Sequence, residues 1–313
     1  MHPALSVIIF TVTSGAGFGF FTLMVIAHVF GLTPDMGRTE LLTEGIVGLI
    51  LVAIGLVAST GHLANPKNAW RAFSRFRTSW LSREGVFSVV FFPFAILYLL
   101  GIYLEGAQIG LLWQGLGILA AVLAQITVFT TGMIYACLKT MRQWNTALTP
   151  ANYILLGLAT GGVLLTAFRA GFGGDTGVVA ALTLVLLVVA AFTKAVYYFW
   201  IRRMGGPTIN TATTFTRAAV RLLDTGHTAG TFLTDEFGYV PPRGRVRLFK
   251  TLVFVLGFLV PLVLVIAAMM GLADTTLAAL AVISAFLGNG LERWLFFAEA
   301  RHVVNLYHGA QHT

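Results

Sequence analysis

Two adjoining stretches decide the fold: STGHLANPKNAWRAFSRFRTSWLSREG at residues 59–85 and VFSVVFFPFAILYLLGIYL at residues 86–104. The first is polar and carries the cations Lys67, Arg71, Arg75, Arg77 and Arg83. The second is apolar, and a run of about 20 such residues is long enough to cross a lipid bilayer as an α-helix. A basic connection beside such a run is typical of a chain that leaves a membrane and re-enters it.

The same alternation continues along the whole chain. Of its 313 residues, 57% are hydrophobic and only 10% are charged, and the mean hydropathy is +0.85. These values argue against a soluble protein. We therefore predict an all-α polytopic membrane protein, a bundle of eight transmembrane helices in one integral-membrane domain spanning 1–313. The predicted helices cover residues 4–30, 40–63, 86–104, 111–138, 152–170, 177–200, 248–270 and 275–298.

The positive charges are distributed unequally between the two sides of this topology. Only Arg38 and Arg169 fall on one side, and Lys194 lies within a predicted helix, so the other Lys and Arg residues share the side of both termini. Basic connections face the cytoplasm, which places both termini in the cytoplasm at a bacterial inner membrane. The charges are split among separate connections without a base-stacking platform, so we do not expect nucleic-acid binding.

Two cytoplasmic connections are candidates for docking a partner protein. Arg71, Arg75 and Arg77 form a basic group in the connection after the second helix. The connection at 201–247 is the longest, and we expect a short amphipathic helix at 214–223 within it. A basic, partly apolar surface of this kind can also lie on anionic lipid headgroups.

The sequence lacks the sets of cysteine and histidine ligands that would bind an iron–sulfur cluster or a haem within this chain. Cys137 is the single cysteine and cannot supply the several thiolates of an iron–sulfur cluster. Haem is not expected either, because His28 and His62 are predicted near opposite faces and cannot pair as axial ligands. His302, the remaining candidate partner for His62, is predicted beyond the end of the last helix.

Ionisable groups inside membrane spans are rare and usually functional. Here they divide between the two halves of the bundle. His28 and Glu44 lie toward the outer face. A second set lies toward the cytoplasmic face: His62, Glu84, Lys194, Glu292 and Arg293.

The most informative pair is His62 and Glu84, because both lie where a predicted helix meets the cytoplasmic interface. A quinone headgroup at that depth requires hydrogen-bond donors and proton exchange, which histidine and a carboxyl group can supply. Arg83 adds a permanent positive charge, Trp80 a ring for packing, and Ser82 a hydroxyl group. We therefore predict a site for ubiquinone or menaquinone here. The plainer alternative is that His62 contacts headgroups, Ser82 is a helix N-cap and Glu84 complements the helix dipole.

Two helices carry glycines spaced four residues apart, Gly15 and Gly19 in the first and Gly157 and Gly161 in the fifth. Such pairs let helix backbones approach closely in a membrane. We expect close helix packing at these positions. The alternative is a glycine-lined groove that admits a flat ring.

Three segments resemble the membrane-anchor subunits of the dimethyl sulfoxide reductase family: MHPALSVIIFTVTSGAGFG at 1–19, GHLANPKNAWRAFSRFRTSWLSREGVF at 61–87 and FLTDEFGYV at 232–240. The resemblance implies an anchor that exchanges electrons with quinone and carries two partners, a four-cluster iron–sulfur subunit and a molybdopterin catalytic subunit. A histidine and a glutamate associated with quinol binding in that family match His62 and Glu84. Anchors of this type generally carry no haem.

The opening residues favour the branch of the family that oxidises sulfite in the cytoplasm and passes electrons to quinone. In that case the chain is a non-molybdenum subunit without a complete active site for sulfite. The reverse direction, quinol oxidation for a dimethyl sulfoxide or polysulfide reductase, is the main alternative. A passive anchor without a quinone site is a third possibility. A secondary transporter is another class, which predicts inverted repeats and a polar midplane site.

Overall fold

The computed structural model describes residues 1–61, 65–224, 229–272 and 275–313. Within these residues, eight helices are long and apolar enough to cross a membrane. We number them α1 to α8 in chain order: Leu5–Val29, Arg38–Thr60, Trp80–Glu105, Leu111–Ala136, Leu148–Gly171, Gly177–Arg203, Arg243–Met269 and Thr275–Ala298. The prediction of an all-α polytopic membrane protein with eight spans is confirmed.

Both chain termini lie at one end of the bundle, which we call the terminal face. The Met1 amine donates a hydrogen bond to the backbone oxygen of Ala300, just beyond α8, at 3.1 Å. The Thr313 hydroxyl donates to the backbone oxygen of Pro207, just beyond α6, at 3.0 Å. The connections after α2, α4 and α6 therefore lie at the terminal face, and the other connections lie at the opposite face.

Three helices begin earlier than the apolar runs predict. α3 begins at Trp80 rather than 86, α5 at Leu148 rather than 152, and α7 at Arg243 rather than 248. Their first turns are polar or charged, which a search for apolar residues excludes. The N-cap of α3 is Ser79, whose side chain accepts a hydrogen bond from the Ser82 backbone nitrogen at 3.4 Å. The interpretation of Ser82 as the N-cap was therefore wrong.

α1 packs against α5 through the two pairs of glycines. A Cβ on Gly19 would lie 2.1 Å from the backbone oxygen of Gly157, and one on Gly161 would lie 2.3 Å from the Phe20 nitrogen. A Cβ on Gly157 would lie 2.8 Å from the Gly15 oxygen. Only glycine permits this approach, so the predicted close packing is confirmed. Because the partner backbone occupies the space beside each glycine, these residues do not form a groove for a ring.

α7 contains one π-helical turn, Val255–Leu259. The Val260 amide donates to the backbone oxygen five residues earlier. In the same pattern the Leu256 oxygen would accept from residue 261, but Pro261 has no N–H. The Ser284 hydroxyl of α8 donates to the Leu256 oxygen instead, at 2.8 Å. The irregular turn therefore joins α7 to α8.

The described part of the long connection after α6 contains two short helices, Ile209–Thr213 and Phe232–Phe237. The amphipathic helix expected at 214–223 is not formed, so that prediction was wrong. Thr214 adopts a left-handed conformation with φ 66° and ends the first short helix. The Asn210 side chain then donates to two backbone oxygens of the following turn, at 2.8 and 2.5 Å. Asn often satisfies backbone groups in this way, which favours turns over helix.

A buried arginine joins α5 to the beginning of α2 at the opposite face. The Arg169 Nη1 atom lies 2.8 Å from Glu40 Oε1, and Nη2 lies 2.5 Å from Asp35 Oδ2. Arg169 is fully buried, whereas Asp35 is partly exposed in the connection between α1 and α2. The hydrogen bond from the guanidinium group holds the pKa of the Asp35 carboxyl below its usual range.

Candidate functional site

Four of the five residues predicted to bind quinone lie in the first two turns of α3, at the terminal face: Trp80, Ser82, Arg83 and Glu84. The fifth, His62, lies outside the described residues. Successive helical residues point about 100° apart, so these four side chains do not share one face of α3. The structure divides them into a buried pair and a more exposed pair.

Glu84 is the buried carboxyl of the group, with only 6% of the residue exposed. Its Oε1 atom accepts a hydrogen bond from the Thr131 hydroxyl of α4 at 2.5 Å. A carboxyl removed from water requires such a partner. Glu84 therefore lies in the contact between α3 and α4, and its position goes beyond the helix-dipole role that the sequence also allowed.

Thr131 is a residue that the sequence interpretation missed. Its hydroxyl lies within hydrogen-bond distance of two acceptors, Glu84 Oε1 and the Thr127 backbone oxygen at 3.0 Å. A hydroxyl has one proton to donate and can also accept. Thr131 can therefore donate to an ionised Glu84, or accept from a protonated Glu84 while donating to Thr127. The only signal in the sequence is a set of threonines in an otherwise apolar helix, which by itself does not indicate a partner.

Ser82 is buried as well, with 1% of the residue exposed, and its Oγ atom has no hydrogen-bond partner among the described residues. A buried hydroxyl usually has a partner. Ser82 is thus free to donate a hydrogen bond to a ligand that enters beside the first turns of α3.

Arg83 and Trp80 form the more exposed pair. The Arg83 guanidinium carbon lies 4.1 Å from the centre of the Trp80 ring. Arg83 Nε donates to the Phe76 backbone oxygen at 3.0 Å, and Nη2 donates to the Arg77 oxygen at 2.8 Å. The Trp80 ring contacts Phe129 of α4 edge-on, with ring centres 6.0 Å apart. Arg83 therefore fixes the preceding connection onto α3 and does not contact Glu84.

The three residues predicted to dock a partner, Arg71, Arg75 and Arg77, are all exposed. The first two lie in the 3₁₀ helix Pro66–Arg75, which precedes α3. The same segment exposes the aromatic side chains of Trp70, Phe73 and Phe76. Exposed aromatic and arginine side chains together are typical of protein interfaces and also of membrane surfaces.

A second group of polar residues lies deeper in the bundle, on α6 and α8. Lys194 and Arg293 both form ion pairs with Glu292, and Arg293 Nε lies 2.5 Å from Glu292 Oε2. All three residues are buried: Lys194 is 1% exposed, Arg293 is 2% exposed and Glu292 is 0% exposed. We call these three residues the charged cluster. The sequence indicated each residue as an intramembrane charge, but it did not indicate that they pair.

Two tyrosines lie between the charged cluster and Glu84. The Arg293 guanidinium carbon lies 3.9 Å from the centre of the Tyr153 ring. Tyr153 is stacked on Tyr135, with ring centres 5.8 Å apart. Tyr135 is one helical turn beyond Thr131 on α4, the residue whose hydroxyl bonds to Glu84. The charged cluster and Glu84 are therefore joined by a row of neighbouring side chains, Tyr153, Tyr135 and Thr131.

The polar groups near the opposite face are separate from this region. Both ring nitrogens of His28 already have hydrogen-bond partners. His28 Nδ1 lies 2.6 Å from the Tyr98 hydroxyl, and His28 Nε2 lies 2.6 Å from the Ala107 backbone oxygen. Glu44 is fully buried, and neither of its carboxyl oxygens has a hydrogen-bond partner among the described residues.

Three phenylalanines pack together between Glu84 and the polar groups near the opposite face. Phe91 is fully buried midway along α3 between Glu84 and Tyr98, which are about 21 Å apart along the helix axis. Its ring centre lies 5.0 Å from that of Phe18 and 5.2 Å from that of Phe21. We call these three residues the phenylalanine layer.

Comparisons with known proteins agree with this architecture. The family model described as DMSO reductase anchor subunit (DmsC) matches residues 1–298. A sulfite dehydrogenase subunit of Allochromatium vinosum is 32% identical over 322 residues, and the alignment covers 98% of this chain and 99% of that protein. The resemblance inferred from the three sequence segments is confirmed. The chain therefore belongs to the DMSO reductase anchor subunit (DmsC) family.

Proposed function

We propose that the chain is the quinone-reactive membrane anchor of a sulfite:quinone oxidoreductase. The observation that carries this proposal is the buried Glu84 carboxyl, which Thr131 holds at 2.5 Å in the second turn of α3. A proton-exchanging group at this depth suits a lipid-soluble substrate that must gain or lose protons near water.

The residues present fit a quinone headgroup. Such a group supplies two-electron, two-proton chemistry when bound. Glu84 would exchange a proton with it, the unpartnered Ser82 hydroxyl would donate a hydrogen bond, and Trp80 would border the ring. We propose His62 as a second hydrogen-bonding group. Because two donors of Arg83 are used by backbone oxygens, we assign it a long-range electrostatic role.

We propose that the terminal face is the cytoplasmic side of a bacterial inner membrane. It carries the basic connections, as the charge distribution predicts. An iron–sulfur subunit with four clusters would dock there on Arg71, Arg75 and Arg77 and on the connection after α6, and it would carry the molybdopterin subunit. Electrons and protons would then meet the quinone from the same side. We propose no haem or cluster in this chain, in keeping with the single cysteine and the occupied nitrogens of His28.

The direction of electron transfer follows from the catalytic partner. The name of the Allochromatium vinosum relative favours sulfite oxidation, with electrons passing to quinone. A quinol-oxidising reductase of dimethyl sulfoxide or polysulfide would use the same site in reverse. Family membership gives no support to the transporter alternative.

The test is to change the two predicted proton-exchanging residues in the assembled complex. We expect Glu84→Gln and His62→Ala each to lower quinone-linked turnover while leaving the activity of the catalytic partner with a soluble dye unchanged. Losing one hydrogen bond to a buried group costs about 1–3 kcal/mol, which corresponds to roughly one to two decades in rate.

The matched control is Glu105→Gln, which makes the same change at an exposed carboxyl at the other end of α3. It should leave both activities unchanged. A passive anchor would give full quinone activity in the Glu84→Gln complex, and a purely structural role would lower quinone and dye activities in parallel. Either result would refute the proposal.

A further inference from the structure

The charged cluster contains more positive than negative groups. Lys194 and Arg293 share Glu292, and all three side chains are buried. Buried charges are costly unless they are compensated. Arginine keeps its proton in proteins, whereas a buried lysine can release one. Lys194 is therefore the member of the cluster from which a proton can leave.

A series of side-chain contacts connects Lys194 with the solvent-exposed terminal face. The Lys194 and Lys250 ammonium groups lie 4.9 and 4.7 Å from the centre of the same ring, that of Tyr198. Lys250 Nζ in turn lies 2.7 Å from Glu299 Oε1, and these two side chains are 27% and 20% exposed. The Tyr198 hydroxyl is buried and has no partner among the described residues. The ion pair of Lys250 and Glu299 thus forms the solvent-exposed end of a path, and Lys194 forms its buried end.

In the other direction the cluster approaches Glu84 through the two stacked tyrosines. Two buried polar atoms at the start of this line have no hydrogen-bond partner of regular geometry in the described part of the chain, Tyr153 Oη and Arg293 Nη1. Buried polar groups of this kind are normally satisfied by internal water. Internal water at these atoms would allow the line from Arg293 to Tyr135 to carry a proton.

We propose that these residues form an internal proton route between water at the terminal face and Glu84, with the pair of Lys194 and Glu292 as its proton store. This inference rests on the proposed quinone site. Tyr198 lies on the outer segment of the route, and Tyr153 and Tyr135 lie on the inner segment. The route carries protons only.

The proton and electron balance is simple. A quinone that becomes a quinol takes two electrons from the clusters of the iron–sulfur partner and two protons. Each proton given up at the Glu84 carboxyl is replaced from the Lys194 ammonium group, and Lys194 is reprotonated from water beside Glu299. If the complex oxidises quinol, two protons follow the same residues outward.

Two substitutions test the route in the assembled complex. Lys194→Arg keeps the positive charge and the ring contacts, but arginine cannot release a proton. Tyr153→Phe removes only the hydroxyl and keeps the ring that contacts Arg293 and Tyr135. We expect each to lower kcat for quinone at least tenfold, with KM for quinone and dye activity unchanged.

A second measurement does not depend on turnover. The infrared band of the Glu84 carboxyl, assigned by its loss in Glu84→Gln, should follow a pH jump at least tenfold more slowly in both variants. The control is Tyr98→Phe, since the Tyr98 hydroxyl lies 2.6 Å from His28 Nδ1 near the opposite face, outside the route. It should behave as the unmodified protein.

Unchanged kcat and pH-jump rates in Lys194→Arg would overturn the route, as would a Glu84 band that does not respond to pH. If Lys194→Arg prevents assembly, Tyr153→Phe decides alone. Different results would refute the proton route and the quinone site. Full quinone activity in Glu84→Gln would reject the site itself, whereas a loss there combined with an unaffected Lys194→Arg would reject only the route.

Discussion

Replacing Thr131 by valine removes one hydroxyl and keeps the shape of the side chain. Thr131 donates to Glu84 Oε1 at 2.5 Å, and both residues are buried. We expect Thr131→Val to leave Glu84 without its partner on α4 and to lower quinone-linked kcat/KM. The catalytic partner should keep its activity with a soluble dye.

The size of the loss follows from the character of this hydrogen bond. Hydrogen bonds to charged groups contribute about 1.5–3 kcal/mol, and water has little access to replace this one at a residue only 6% exposed. Since about 1.4 kcal/mol corresponds to a factor of ten, we expect a decrease of about ten- to hundredfold. The assay compares quinone-linked and dye-linked rates of the same membrane preparation.

Two neighbouring changes make the test specific. Thr131→Ser keeps the hydroxyl and should restore most of the quinone-linked rate. Thr130→Val removes an equally buried hydroxyl, which donates only to the Thr127 backbone oxygen at 2.8 Å, and should have little effect. Equal losses in Thr130→Val and Thr131→Val, or a parallel loss of dye activity, would show that helix packing rather than the bond to Glu84 is responsible.

Three further predictions concern the fold. Reporter fusions after Pro34 and after Asn68 should report the exported and cytoplasmic sides respectively, and the reverse assignment would overturn the orientation. Gly161→Ala should sharply reduce the amount of the chain in membranes by immunoblot, because its Cβ would lie 2.3 Å from a backbone nitrogen of α1, whereas Gly290→Ala has open space and should accumulate normally. Asp35→Asn should lower the Tm of the complex at pH 7. Because the pKa of Asp35 is depressed in the folded protein, this stabilisation is present above the unfolded value of about 3.9 and is lost as pH falls through the folded value, so the Tm difference should vanish in acid.

The spans and the glycine contacts could be predicted from the sequence because both are local properties. A run of about 20 apolar residues has few alternatives to a membrane helix, and small residues four apart mark a helix face wherever it packs. Helix beginnings were less predictable. Ser79 and Ser82 are both plausible caps, and only the backbone conformation at Ser79 distinguishes them.

The partners of the buried charges could not be predicted. Glu292 and Arg293 are adjacent in the sequence, but Lys194 lies on another helix and meets them only in the packed bundle. The same is true of Thr131 and Glu84, which come from adjacent helices. The sequence shows which buried groups need partners, but three-dimensional packing determines which partners they obtain.

The phenylalanine layer has a consequence for energy conservation. It lies between Glu84 and the polar groups near the opposite face, with Phe91 packed against Phe18 and Phe21 at ring-centre distances of 5.0 and 5.2 Å. If protons and electrons both reach the quinone from the terminal face, no net charge crosses the bilayer in a turnover. Moving one elementary charge across a membrane potential of 100 mV involves about 2.3 kcal/mol. Such a complex would neither store nor consume this energy. Its rate in sealed vesicles should then be independent of the membrane potential, so the chain would connect sulfite to respiration without being a coupling site itself.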